Sequence, residues 1–209
     1  QQRAEKLISD IADSVSDEKN VTTAYDAVKD TIMHMDKIAS LEDGELLGLP
    51  TGLPSLDDIL MGLKGGEFIV VAGRPSMGKS VLAENIARNC AKQGLAVRFQ
   101  SYEMSADELI QRGAAAEYSI DFGRLKKFQM TKTELDDFSI YSAKACDWRF
   151  LIDTEMLGID ELCARCRLMK RRGGLDLLVV DHLHLMPRQG RDAVAELDEI
   201  TARLKRLAM

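Results

Sequence analysis

Residues 68–80 read FIVVAGRPSMGKS: an apolar run, a loop framed by two glycines, then Lys79 and Ser80. No other stretch so narrows the folds open to the chain. Gly73, Arg74, Pro75, Ser76, Met77, Gly78, Lys79 and Ser80 match the spacing G-x-x-x-x-G-K-[ST]. A loop that turns its backbone N–H groups inward around phosphate oxygens needs residues without bulk at its bends. A helix opening at its end adds a positive pole. Lys79 would supply a point charge for the outer phosphates, and the Ser80 hydroxyl a ligand for Mg²⁺. The bland alternative is a glycine-rich turn with no ligand. The apolar run before the loop and the helical pattern after it argue against that.

The surroundings read as an α/β chain. Residues 68–73 form a buried-strand run, and further strand runs fall at 96–101, 149–153 and 175–181. Helical patterns alternate with them at 81–94, 105–118, 159–172 and 193–208, Ser105 and Glu108 fitting a capping box. The strands look apolar throughout, which predicts a mostly parallel sheet with helices on both faces. Residues 121–147 read as short helices and loops. Before residue 45 there are no strand runs. Helical stripes at 3–15 (Leu7, Ile8, Ile11, Ala12, Val15) and at about 23–38 (Tyr25, Val28, Ile32, Met35) predict a helical linker over 1–44, separate from the domain that follows over 45–209. The first residue is Gln1, and the chain reads as a piece of a longer one.

A metal-bound nucleotide needs negative charge near the metal. Asp181 ends the run LLVVD, where side chains emerge at the carboxyl edge of a parallel sheet, the Walker-B arrangement. Asp176, at the other end, reads as a solvated residue. Hydrolysis also needs a group that polarises water. Glu103 in FQSYEMS would reach the same edge, although by position alone a surface loop glutamate reads equally well. Cys163 and Cys166 form a CxxC, but they share a helical face with Ile159, Leu162 and Met169 and lack a second pair at metal spacing, so they read as core. Lys170, Arg171 and Arg172 end a helix, where positive charge favours the dipole. A net charge of −6 gives no support to nucleic-acid binding by the surface as a whole. Reduced thiols and the lack of a membrane-length apolar run fit a cytoplasmic protein.

The ordered strings TGLPSLDDIL, GLKGGEFIVVAGRPSMGKS, FQSYEMS and LLVVDHLHLM resemble the DnaB family of hexameric replicative DNA helicases over roughly residues 45–209. The resemblance implies a RecA-like P-loop NTPase core that hydrolyses ATP with Mg²⁺ at a subunit interface, in a ring around single-stranded DNA. It assigns Lys79 and Ser80 to phosphate and Mg²⁺, Asp181 to the metal, and Glu103 to the general base. It places DNA contacts after the Walker-B strand, here Arg188, Gln189, Gly190, Arg191 and Asp192, where a solvated basic turn is the plain alternative. It implies a homo-hexamer in the full-length parent, with primase and a helicase loader as further partners, and docking of the 3–15 helix on an adjacent subunit. The chain departs from the family at His182 and His184, where Tyr and Gln are common. His184 reads as a polar residue supporting the phosphate region, and an HxH metal site lacks a third ligand. The family's amino-terminal domain and the later strands, with the arginine finger, are expected to lie outside this chain, leaving weak nucleotide binding and little unwinding. A RecA-like recombinase or regulatory ATPase is the competing reading, and a small-molecule P-loop kinase a more distant one.

Overall fold

The computed structural model describes residues 22–42, 44–187 and 193–209. The chain divides into two compact units, Gln1–Glu45 and Leu46–Met209. The helical stripe expected over 3–15 lies outside the described residues. In the first unit, helix α1 (Ala24–Ala39) opens at Thr23, whose hydroxyl accepts from the Asp26 N–H at 3.1 Å. No residue of α1 is buried, and Tyr25, Val28, Ile32 and Met35 are exposed.

The second unit is built on three parallel strands, β1 (Val97–Ser101), β2 (Phe150–Asp153) and β3 (Leu177–Asp181), in the order β2-β1-β3. Chain order adds α2 (Pro54–Leu60) and α3 (Lys79–Lys92) before β1. Helices α4 (Ala106–Tyr118), α5 (Phe122–Lys126) and α6 (Lys132–Cys146) follow it. Helix α7 (Ile159–Gly173) precedes β3, and a 3-10 turn (Leu183–Leu185) and α8 (Ala193–Ala208) come after. Parallel strands need crossovers, and helices supply all of them.

Strand parity assigns the two faces. Val97 and Phe99 of β1 pack with Ala87, Cys90 and Ala91 of α3 and Leu109 of α4. On the opposite face Leu162 and Cys166 of α7 pack with Tyr102 and with Ile200 and Leu204 of α8, joined by Leu178 and Val180 of β3. The CxxC is therefore core, and burial pushes the Cys166 thiol up to about 11. The even positions of β1 also carry polarity that an all-apolar reading of the strand does not expect. Buried Arg98 pairs with Asp153 of β2, and the buried Gln100 side chain donates to the Glu155 carbonyl at 2.8 Å. A buried charge persists only when paired and hydrogen-bonded, and these partners come from the neighbouring strand's end.

A third cluster lies where the sequence pattern is weakest. Ile120, Leu125 and Tyr141 pack with Ala114 under α4–α6, and Tyr141 meets Trp148 edge to face at 5.5 Å. Gly113 is required there, because a Cβ on it would stand 2.1 Å from the Tyr141 hydroxyl. Helix α6 opens with a full capping box, Thr131 with Glu134. At α4 the box is only half made. Ser105 accepts from the Glu108 N–H at 3.3 Å, but the Glu108 carboxylate turns to Arg112 and Lys126 at 2.9 and 3.3 Å, where cations outcompete a neutral amide.

Two further expectations are corrected. Residues 68–73 form no strand, and Ile69, Val70 and Val71 are 47, 63 and 45% exposed. β-branched residues suit a pleated, covered surface, but a ladder also needs a partner edge, and none pairs with this segment among the described residues. Only Phe68 packs onto the α7–α8 cluster. Asp176, though exposed, is not merely solvated. Its carboxylate accepts from the Ala96 N–H at 2.7 Å and its own N–H donates to the Ala96 carbonyl at 2.8 Å, aligning β3 on β1 at their start.

Candidate active site

The candidate phosphate loop runs from Gly73 into α3, whose first helical residue is Lys79. Ser76 and Gly78 adopt left-handed backbone at φ 64 and 84. Left-handed residues alternating with ordinary ones build the concave amide nests that hold anions. A serine held there carries strain that the loop must impose. Of the loop's N–H groups, that of Met77 donates to Arg74 at a long 3.4 Å, while no protein group among the described residues accepts from those of Ser76, Gly78, Lys79 or Ser80. Helix α3 has no side-chain cap and no acidic residue in its first turn. Its N-terminal donors and the positive end of its dipole are left for an anion. The Lys79 ammonium curls back over the loop, donating to the Gly73 and Arg74 carbonyls at 2.9 and 3.2 Å. Arg74, Pro75 and Met77 are exposed.

Ser80 ties this loop to the sheet. Its hydroxyl donates to Asp181 Oδ1 at 3.0 Å, across a sequence separation of 101 residues. Asp181 is buried, and its second oxygen, Oδ2, has no hydrogen-bond partner. A buried carboxylate oxygen without a donor is costly, and a ligand that meets it removes the cost. That oxygen and the Ser80 hydroxyl are hard oxygen ligands of the kind Mg²⁺ takes beside phosphate oxygens and water. Among the described residues no group of three His, Cys, Asp or Glu could hold a metal by itself, so a cation here would share its ligands with a nucleotide.

The register of the sheet brings Glu103 to the same edge. Ser101 pairs with Asp181, and the Tyr102 N–H donates to the Asp181 carbonyl at 2.7 Å. The chain then bends. The Ser101 hydroxyl donates to the Met104 carbonyl at 2.7 Å and accepts from the Met104 N–H at 3.0 Å. The Tyr102 hydroxyl donates to the Leu157 carbonyl at 2.8 Å, and burial pushes that phenol up to about 12. Glu103 is thus presented at the apex of a clamped bend. Nothing in the residue types of YEM announces this clamp. Its signal is Ser101, three residues before Met104, an arrangement that suits a side-chain-closed turn.

His184 sits in the 3-10 turn, its ring edge to face with that of His182 at 6.1 Å. His182, to which the sequence assigned no role, is the histidine that reaches Glu103, with Nδ1 3.3 Å from Oε2. One turn beyond Ser80, Glu84 is buried against Arg88 at 2.7 Å. Burial pushes its carboxyl up, and Arg88 pulls it back. The Lys170–Arg172 cluster closes α7, Lys170 donating to the Leu175 carbonyl at 2.9 Å. Arg188, Gln189, Gly190, Arg191 and Asp192 lie outside the described residues.

With this geometry established, comparison with known proteins gives a consistent answer. The model of the family described as DnaB-like helicase C terminal domain matches residues 48–209. The replicative DNA helicase DnaC of Bacillus subtilis is 32% identical over 213 residues, covering 98% of this chain and 46% of that protein. The replicative DNA helicase DnaB of Geobacillus stearothermophilus is 34% identical over 193 residues, covering 88% of this chain and 42% of that protein. The chain therefore spans about half the length of the curated relatives it matches. Among solved structures, an isolated ATPase domain superimposes with a TM-score of 0.79 at 23% identity, covering 90% of this chain and 68% of that one. A DnaB-like replicative helicase, solved in a study of its interactions with primase, gives 0.77 at 22% identity, covering 98% and 49%. These two likenesses establish the fold, a RecA-like α/β core.

Proposed function

The chain belongs to the DnaB-like helicase family, and on that premise we propose that it is the ATPase core of a replicative DNA helicase, a cytoplasmic protein that couples ATP hydrolysis to movement along single-stranded DNA and to duplex unwinding. The observation that carries the reading is the Ser80–Asp181 hydrogen bond of 3.0 Å, which joins the phosphate loop to the buried end of β3 and leaves Asp181 Oδ2 without a partner. A glycine-rich turn with no ligand has no need of that oxygen.

In this mechanism the free amides of Ser76, Gly78, Lys79 and Ser80 take phosphate oxygens of ATP. The Lys79 ammonium leaves the Gly73 and Arg74 carbonyls for the outer phosphates, exchanging neutral acceptors for charged ones. Mg²⁺, held by Ser80 and Asp181 with the nucleotide, would supply neutralisation of the phosphate charge. The Glu103 carboxylate orients water and accepts its proton as the water attacks the terminal phosphorus, and the bond to the bridging oxygen of ADP breaks. Segment 188–192, with Arg188, Gly190, Arg191 and Asp192, follows the metal-binding strand in sequence, and in this reading its arginines and backbone hold DNA phosphates. A homo-hexamer around the strand, with primase and a loader as partners, completes the proposal. Its support is the family and the relatives' printed descriptions as replicative DNA helicases.

The test is ATP turnover and displacement of a labelled strand from a forked duplex, measured on the full-length protein. Turnover stimulated by single-stranded DNA together with strand displacement is the expected result. Filament formation and strand exchange without unwinding would overturn the reading in favour of a recombinase.

A further inference from the structure

Glu103 has a fixed backbone and a loose side chain. The bend around it is held at Ser101, Tyr102 and Met104 by the bonds described above, yet its side chain is 57% exposed. A carboxylate in water with free torsions samples several rotamers, whereas a general base must stay within hydrogen-bond reach of one water molecule. Among the described residues, the group that meets this carboxylate is the imidazole of His182, with Nδ1 3.3 Å from Oε2.

His182 is well placed to hold it. Its backbone follows Asp181, the buried end of β3, and its ring is braced edge to face by His184. An imidazole with its proton on Nδ1 donates to Oε2 and leaves Oε1 for water. In this structure the two atoms stand at ion-pair distance, 3.3 Å, without the alignment of a hydrogen bond, and catalytic contacts often align only when substrate is bound.

We propose that His182 is the positioning residue for Glu103: Nδ1–H fixes one carboxylate oxygen so that the other faces the attacking water. The inference rests on the reading of Glu103 as general base. It concerns orientation and does not need His182 to change its charge.

The experiment is steady-state ATP turnover of the full-length protein, with kcat, KM and affinity for a non-hydrolysable analogue measured separately. His182→Ala should lower kcat about 10- to 100-fold with KM and analogue affinity unchanged, as for a misplaced catalytic group. His182→Asn, whose amide N–H stands near the position of Nδ1, should restore most of the loss. In a Glu103→Gln background His182→Ala should have no further effect. A wild-type kcat for His182→Ala, an Asn variant no better than Ala, or an equal loss in the Glu103→Gln background would overturn the proposal. A Glu103→Gln protein that turns over normally would overturn the base assignment and this inference with it. His182→Ala at full rate beside an inactive Glu103→Gln would overturn the inference alone. A second readout needs no turnover. In the imidazole ¹⁵N spectrum, to which this chain contributes 3 histidines, Glu103→Gln should move the Nδ1 resonance of His182 and Lys79→Ala should not. An Nδ1 resonance unmoved by Glu103→Gln would also overturn it.

Discussion

On one side of the proposed nucleotide site stands the end of β3, where Asp181 is buried, paired in register with Ser101 and bonded to the Tyr102 N–H at 2.7 Å. On the other stands the segment 68–80. There Ile69, Val70 and Val71 are exposed and, among the described residues, no strand pairs with the backbone and four loop amides have no acceptor. The first half is over-determined by packing on both faces of a sheet. The second is held mainly by its own turn geometry and by one hydrogen bond, Ser80 to Asp181. Such a division suits phosphate chemistry. Groups that act on water must be positioned before the reaction, whereas groups that grip the substrate complete their hydrogen bonds only when it arrives.

If the halves differ in this way, variants in them should affect different quantities. Glu103→Gln, in the packed half, should lower kcat by about 10²- to 10⁴-fold, the range for loss of a general base, and leave nucleotide affinity intact. Single-turnover hydrolysis against analogue binding checks it, and normal hydrolysis would remove Glu103 from the chemistry. Lys79→Ala, in the open half, should weaken nucleotide binding on the order of 100-fold, about 2.7 kcal/mol, because a charge-assisted contact to phosphate is lost. Equilibrium titration reads this, and unchanged binding would mean the loop is not the grip. Asp57→Ala touches neither half. It removes the buried carboxylate that accepts from the Thr51 and Gly52 N–H groups at 2.8 and 3.1 Å, and should cost about 2 kcal/mol of stability by leaving those donors unpaired. Its denaturant midpoint should fall while analogue affinity of the folded protein stays the same. A parallel loss of affinity would show that the loop depends on this approach segment.

The smallest effect concerns pH and a site remote from both halves. The Thr131 backbone N–H, then its hydroxyl, hold the Glu134 carboxyl below its ordinary value of 4.5. A depressed folded-state value means that ionised Glu134 stabilises the fold above pH 4.5 and that the contribution is lost as pH falls through the lower value. Glu134→Gln should therefore be less stable than wild type above that window and converge with it in acid. Denaturation midpoints measured across the window check it, and a constant gap at all pH values would refute it.

Much of the site was legible from residue types alone. The loop Gly73–Ser80, the end of β3 at Asp181 and the helices on either side of them follow from spacing and periodicity, which are local properties. The bend at Glu103 was visible only as a carboxylate after a strand run. Its clamp comes from Ser101 and Tyr102 meeting Met104, Asp181 and Leu157, the last two remote in sequence. Asp176 looked like a solvated residue because its partner, Ala96, lies 80 residues away.

By itself the amino-acid order determined a glycine-framed loop between an apolar run and a helix, and an aspartate closing a strand. Backbone sterics and side-chain period act over a few residues, so they can be read in one dimension. Only the tertiary structure decided that 68–73 stays out of the ladder, that Asp181 keeps one oxygen unpaired, and that His182 rather than His184 meets Glu103. Each of these depends on which distant segment arrives at a given edge, and pairing between distant segments is settled by the packing of the whole sheet.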